Sequence, residues 1–125
     1  MKFKQEIKKV IPKKLFRQIS PYWHWMQAVR AQYENGFPAR DLKIIGVTGT
    51  DGKTTVSTLI AHMLRANGYK VGLMTTVSVD YADGKGEQIN PTNLTTGNAF
   101  QVAQIIKKIK DNGAEWLILE TSSHA

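Results

Sequence analysis

The sequence predicts an α/β fold: a P-loop-type three-layer domain with a mostly parallel sheet, present in part and preceded by basic N-terminal helices. Three observations carry this. A β-branched run of Ile44, Ile45 and Val47 leads into a glycine turn and then Lys53-Thr54-Thr55. Val56, Leu59, Ile60, Met63 and Leu64 follow at helical spacing. A later apolar run, Trp116 to Leu119, ends on the carboxylate of Glu120. Strand, glycine turn, Lys-Thr and helix form the layout of a phosphate-binding loop.

Length and composition set the frame. A chain of 125 residues suffices for one modest domain with a core. There is no cysteine, so disulfides and thiolate metal sites are excluded, which fits a reducing cytoplasm. No apolar run is long enough to span a bilayer. Residues 1–17 hold seven Lys or Arg against one Glu, whereas residues 44–125 hold seven basic and seven acidic residues. The positive charge is thus an N-terminal arm rather than a basic fold, and nucleic acid is not the expected partner.

In the arm, Phe3, Ile7, Val10 and Ile11 mark one helical face, and Pro12 interrupts it. The plainer reading is a stripe packed on the domain. The other is weak contact of residues 1–17 with an anionic membrane surface. Ser20 to Gly36 reads as a second helix, with Ser20 as cap, Pro21 at its first position and Gly36 as its stop. Tyr22, Trp25, Met26, Val29 and Tyr33 share a face, read as packing or as a stacking platform for a base or sugar. Phe37-Pro38 links to the first strand, which is expected to be buried.

At the loop, glycines let backbone N–H groups close around a polyphosphate, and the helix N-terminus adds partial positive charge. The candidate nucleotide contacts are Gly49, Thr50, Asp51, Gly52, Lys53, Thr54 and Thr55. Lys53 brings a full charge for the outer phosphates, and Thr54 a hydroxyl for Mg2+. The spacing is the shorter Gly-x-x-Gly-Lys-Thr form, because Val47 stands where the full pattern has glycine. The helix ends at Asn67-Gly68, with His62 read as partly buried within it.

Lys70 to Val79 reads as one second strand, parallel to its neighbour. Asp83-Gly84-Lys85-Gly86 is a turn, closing a hairpin or a flexible loop, with Asp80 and Asp83 solvated. Thr95 or Thr96 caps a helix from about Asn98 to Asn112, stopped by Gly113. Trp116 to Leu119 is a buried third strand. Glu120 at its C-terminal end falls on the edge where such sheets bind ligands, and can complete the Mg2+ shell begun by Thr54. Thr121, Ser122, Ser123 and His124 form a polar cluster suited to substrate hydrogen bonds.

Three segments together resemble the Mur ligase family: Gly-Val-Thr-Gly-Thr-Asp-Gly-Lys-Thr-Thr (46–55), Leu-Thr-Thr-Gly-Asn-Ala (94–99) and Glu-Thr-Ser-Ser-His-Ala (120–125). The likeness is to its central ATP-binding domain, in the UDP-N-acetylmuramoyl-tripeptide synthetase branch. The resemblance implies an ATP-dependent amide ligase with ATP and Mg2+ as cofactors. Such an enzyme adds an amino acid to a UDP-N-acetylmuramoyl-peptide through an acyl phosphate, in peptidoglycan precursor synthesis. It implies Lys53 and Glu120 as catalytic, Thr54 and Glu120 as metal ligands, and Thr95, Thr96, Ser122 and His124 as substrate contacts. Asp51 stands where the family often has asparagine, so it is given a loop role only.

The division expected is a basic helical segment, 1–41, and an incomplete Mur-ligase-type ATP-binding domain, 42–125. The chain reads as the first part of a longer ligase, inactive alone and prone to self-association through an exposed sheet edge. Folylpolyglutamate- or cyanophycin-synthetase-like ligation is the alternative within the same chemistry. A non-catalytic nucleotide-binding module with a basic docking arm is the alternative outside it.

Overall fold

The structure, a computed structural model, describes residues 13–92 and 98–122, with side chains from residue 21 onward. The order is α1 (Lys13–Glu34), a 3-10 turn (Pro38–Asp41), β1 (Lys43–Val47), α2 (Lys53–Ala66), β2 (Val71–Met74), β3 (Ser78–Asp80), β4 (Glu87–Ile89), α3 (Ala99–Asp111) and β5 (Trp116–Glu120). One sheet holds five strands in the order β1-β5-β2-β3-β4. The first three run parallel, and β3 and β4 are antiparallel.

Period-2 alternation divides the core into two layers. Val71, Leu73 and Ile118 face α2 and meet Ala61, with Ile60 and Leu64 alongside. Met74 and Leu117 point the other way, onto Ile105, Ile106 and Ile109 of α3. α1 lies outside α3 and packs on it. Between β2 and α3 the approach is so close that a Cβ at Gly72 would collide with Ile109. The 3-10 turn is tied to α3 by an ion pair, Lys110 Nζ to Asp41 Oδ2 at 2.5 Å, which holds Asp41 below the ordinary carboxylate value.

Several expectations are corrected here. The helix does not start at Ser20: α1 begins at Lys13 and runs through Pro21. A proline removes one intrahelical bond, yet the helix continues on both sides of it. The expected stop does hold, since Gly36 takes the left-handed conformation (φ 71°) after the last turn. The aromatic face does not pack: Trp25 is 65% exposed and Tyr22 74%, because Ala31 occupies the buried side of the helix. Residues 1–12, and with them the break at Pro12, lie outside the described residues.

The first strand is not buried throughout. β1 stands at the sheet edge, so Ile45 and Val47 pack under α2 while Ile44 on the other side is 41% exposed. The α2 stripe is rotated from the predicted one. Ser57, Ile60, Ala61 and Leu64 face the sheet, while Val56, Leu59 and Met63 are exposed, as is His62. β2 is parallel to β1 but not beside it, since β5 lies between them.

Lys70 to Val79 is two strands, not one. The Thr75 hydroxyl takes the Ser78 N–H at 3.0 Å, and the Thr75 N–H donates to the Ser78 carbonyl at 2.8 Å, which turns the chain back on itself. The hairpin β3–β4 follows, with Asp83 Oδ1 accepting the Lys85 N–H in its turn. Asp80 is not solvated. It is 8% exposed and paired with Arg65 of α2 at 2.9 Å, and its other oxygen takes the Ala82 N–H. A carboxylate this buried needs such partners. α3 is capped by Asn98, whose side chain accepts the Phe100 N–H at 3.1 Å. Thr95 and Thr96 lie outside the described residues.

Candidate functional site

The site forms at the C-terminal edge of the three parallel strands. Gly52 caps α2 in the left-handed conformation (φ 74°), and the Val56 N–H returns to its carbonyl at 2.9 Å. A side chain at position 52 would strain that turn. The first N–H groups of α2 are therefore presented at the loop. Lys53 folds back across it and donates to the carbonyls of Gly49 at 2.9 Å and Thr50 at 3.4 Å. Lys53 and Thr54 are half-buried, whereas Thr50, Asp51, Gly52 and Thr55 are exposed.

Beside the loop sits Glu120, the last residue of β5. It is 3% exposed. The register pairs it with Val47, the last residue of β1, so two parallel strands end together. The Thr121 N–H donates to the Val47 carbonyl at 2.8 Å and carries that alignment one residue further.

Three donors converge on the Glu120 carboxylate. Thr54 Oγ1 donates to Oε2 at 2.9 Å. The Thr76 N–H donates to the same oxygen at 3.2 Å, and Thr76 Oγ1 to Oε1 at 3.1 Å. All three donors are neutral, and among the described residues no ion pair involves Glu120. These three bonds fix the orientation of the buried carboxylate. With the Thr54 hydroxyl it makes a hard oxygen pair of the kind that suits Mg2+. Among the described residues no group of three His, Cys, Asp or Glu side chains could hold a metal alone. A cation here would thus draw its remaining ligands from bound phosphate or water, as Mg2+ commonly does.

The structure brings Gly49, Gly52, Lys53, Thr54 and Glu120 together, across 66 residues of sequence between Thr54 and Glu120. Ser122 follows two residues beyond, half-buried at the same edge. His124, like Thr95 and Thr96, lies outside the described residues. Sequence reasoning misses Thr76, which falls in mid-strand when Lys70 to Val79 is taken as one element. The change from apolar Val71–Met74 to Thr75-Thr76 is the signal that marks the end of β2, at this same edge. A cavity of about 360 Å³, lined by Arg65, Tyr69, Lys70 and the hairpin turn, opens beside Val71 at the start of β2, so it is not part of this site.

Comparison with known proteins agrees with this geometry. The Mur ligase middle domain matches residues 47–125. A UDP-N-acetylmuramyl-tripeptide synthetase of Deinococcus radiodurans is 46% identical over 90 residues, covering 72% of this chain and 18% of the relative. A UDP-N-acetylmuramoyl-L-alanyl-D-glutamate–2,6-diaminopimelate ligase of Bacillus cereus is 39% identical over 98 residues, 78% of this chain and 19% of the relative. A solved structure of a ligase with that same name superposes with a TM-score of 0.59 at 29% identity, over 75% of this chain and 19% of that one. The chain thus spans under a fifth of the length of these relatives. With the family match covering more than half of its residues and a phosphate loop set against a strand-end carboxylate in its fold, the chain belongs to the Mur ligase family, through that family's middle domain.

Proposed function

We propose that this chain carries the ATP-handling centre of a cytoplasmic ligase that joins an amino acid to a UDP-N-acetylmuramoyl-peptide. The observation that carries the reading is the buried Glu120 carboxylate, bonded to Thr54 of the phosphate loop at 2.9 Å. Its relatives are named for this class of reaction.

In this reading the substrate carboxylate attacks the γ-phosphorus of ATP, ADP leaves, and an acyl phosphate forms. The amine of the incoming amino acid then attacks the acyl carbon, phosphate departs, and the amine loses a proton. Charge develops on the transferring phosphoryl oxygens, so the task of the protein is chiefly positioning and electrostatics. Backbone N–H groups from Gly49 to Thr55 hold the phosphates. The Lys53 ammonium lies across the loop and meets the outer ones. Thr54 and Glu120 would hold Mg2+, which when bound neutralises phosphate charge. Thr95, Thr96, Ser122 and His124 are assigned to the muramoyl-peptide.

Residues 42–125 are then the catalytic part and residues 1–41 an accessory segment. Two partner readings go with it: weak contact of residues 1–17 with an anionic membrane surface, and self-association along β1. Ile44 beside that edge and Val56, Leu59 and Met63 on α2 support the latter by their exposure.

A chimera tests the activity. Residues 44–122 would replace their counterparts in the Deinococcus radiodurans synthetase, with folding checked by circular dichroism. The expected result is ADP release dependent on both muramoyl-peptide and amino acid, abolished by Lys53→Ala. A folded chimera that binds ATP yet releases no ADP in the presence of muramoyl-peptide and amino acid would contradict the proposal.

A further inference from the structure

Among the described residues the buried polar or charged side chains are Ser57, Thr75, Asp80, Asn90 and Glu120. Asp80 has its ion pair with Arg65. Thr75, Asn90 and Glu120 meet at one peptide group. Asn90 follows β4 directly and is fully buried. Its Nδ2 donates to the Thr75 carbonyl at 2.7 Å, fifteen residues back in the sequence. The N–H of that same peptide belongs to Thr76, and it donates to Glu120 Oε2 at 3.2 Å. The Thr75–Thr76 peptide is thus held at both ends, by Asn90 on its carbonyl and by Glu120 on its N–H.

We propose that Asn90 is a positioning residue for Glu120, acting through this peptide; its bearing on ATP rests on the reading of Glu120 as a Mg2+ ligand. The peptide is trans and planar, so its C=O and N–H point in opposite directions. A bond that fixes the carbonyl therefore fixes the direction of the N–H. It also polarises the peptide and makes the N–H a stronger donor. The path runs from Asn90 through the peptide to Glu120 and on to Thr54, so it joins the end of β4 to the phosphate loop.

The other half of the Asn90 side chain has a local task. Oδ1 accepts the Thr92 N–H at 2.9 Å and Thr92 Oγ1 at 2.7 Å, the turn that Asn and Asp side chains make with the residue two positions on. The Asn90 N–H goes to the Val77 carbonyl at 3.0 Å. Aspartate would serve that turn as well, so the turn does not account for an amide. What the amide adds is the Nδ2 donor. A buried amide costs free energy unless it is hydrogen-bonded, and this donor is spent on the peptide that holds Glu120.

The test compares the full chain with Asn90→Asp, which keeps Oδ1 for Thr92 and lacks the N–H donor. Ser78→Ala, which removes a hydroxyl from the same turn and leaves the peptide untouched, is the control. Folding is checked by circular dichroism. The first readout needs no ligand: hydrogen exchange of the Thr76 N–H, followed by NMR. It is expected to be at least tenfold faster in Asn90→Asp, with Leu117 and Ile118 in β5 exchanging as in the parent, and unchanged in Ser78→Ala. The second readout is calorimetry of ATP binding. Binding with Mg2+ is expected to fall about tenfold in Asn90→Asp, and binding without Mg2+ to stay as in the parent. If Asn90→Asp does not fold, Glu120→Gln decides from the other end of the peptide, where the Asn90 Nδ2 resonances are expected to shift together with that of the Thr76 N–H. Parent-like exchange at Thr76 in Asn90→Asp, or Asn90 resonances that stay in place in Glu120→Gln, overturns the inference. So does equal loss of ATP binding with and without Mg2+, the mark of a purely structural role. If the parent binds ATP without regard to Mg2+, the metal reading of the site fails, and the exchange of Thr76 still decides whether Asn90 positions Glu120.

Discussion

Glu120 and the three donors around it are the smallest unit on which the proposed function rests. Lys53, Thr54 and Glu120 are legible in the sequence as candidates, because a polyphosphate site would call for those residue types at those places, and the structure brings Thr54 and Glu120 into contact. Thr76 is not, because its role depends on where β2 ends, and strand ends are set by the turn that follows. Asp80 is hidden for a related reason: its partner Arg65 lies on α2, and no local pattern connects them. Thr76 supplies two of the three bonds that orient Glu120. Thr76→Val keeps the N–H bond and removes the hydroxyl one. It is expected to weaken Mg2+-dependent ATP binding several-fold, with metal-free ATP binding unchanged and Thr76→Ser near the parent. Equal loss with and without Mg2+ in calorimetry would show that Thr76 has only a structural role.

At the scale of elements, hydrophobic periodicity locates each helix and strand better than it locates their faces. It puts the α2 stripe on Val56, Leu59, Ile60, Met63 and Leu64. Ile60 and Leu64 do face the sheet, but the residues buried there are Ser57 and Ala61, while the other three are exposed. Small residues there let the helix approach closely, and a pattern that counts only large apolar residues overlooks them. Gly72 shows the same effect from the sheet side, where β2 and α3 touch. Its place amid apolar residues conceals a packing requirement. Gly72→Ala overpacks this contact and is expected to cost about 2 kcal/mol of stability, as overpacked cores do. Urea denaturation checks it. A variant as stable as the parent would mean that α3 shifts freely away from the sheet. The proline in α1 shows the reverse, for a strong local signal yields to the helix on either side of it.

For the whole molecule, the α/β class and the parallel pairing of the central strands follow from strand–helix alternation. The strand order does not. That β5 inserts between β1 and β2 depends on long-range pairing that no window of sequence contains. The insertion has a functional consequence, because it sets Glu120 directly beside the end of β1 and hence beside the phosphate loop. The central claim is that this edge binds ATP through Mg2+ held by Thr54 and Glu120, with Lys53 on the outer phosphates. The direct measurement is calorimetry of ATP binding, with and without Mg2+, on the chain, Lys53→Ala and Glu120→Gln. The expected result is binding that needs Mg2+, falls about tenfold or more in Lys53→Ala, and loses its Mg2+ dependence in Glu120→Gln. Binding that is the same in all three chains, or indifferent to Mg2+ in the parent, would contradict the claim.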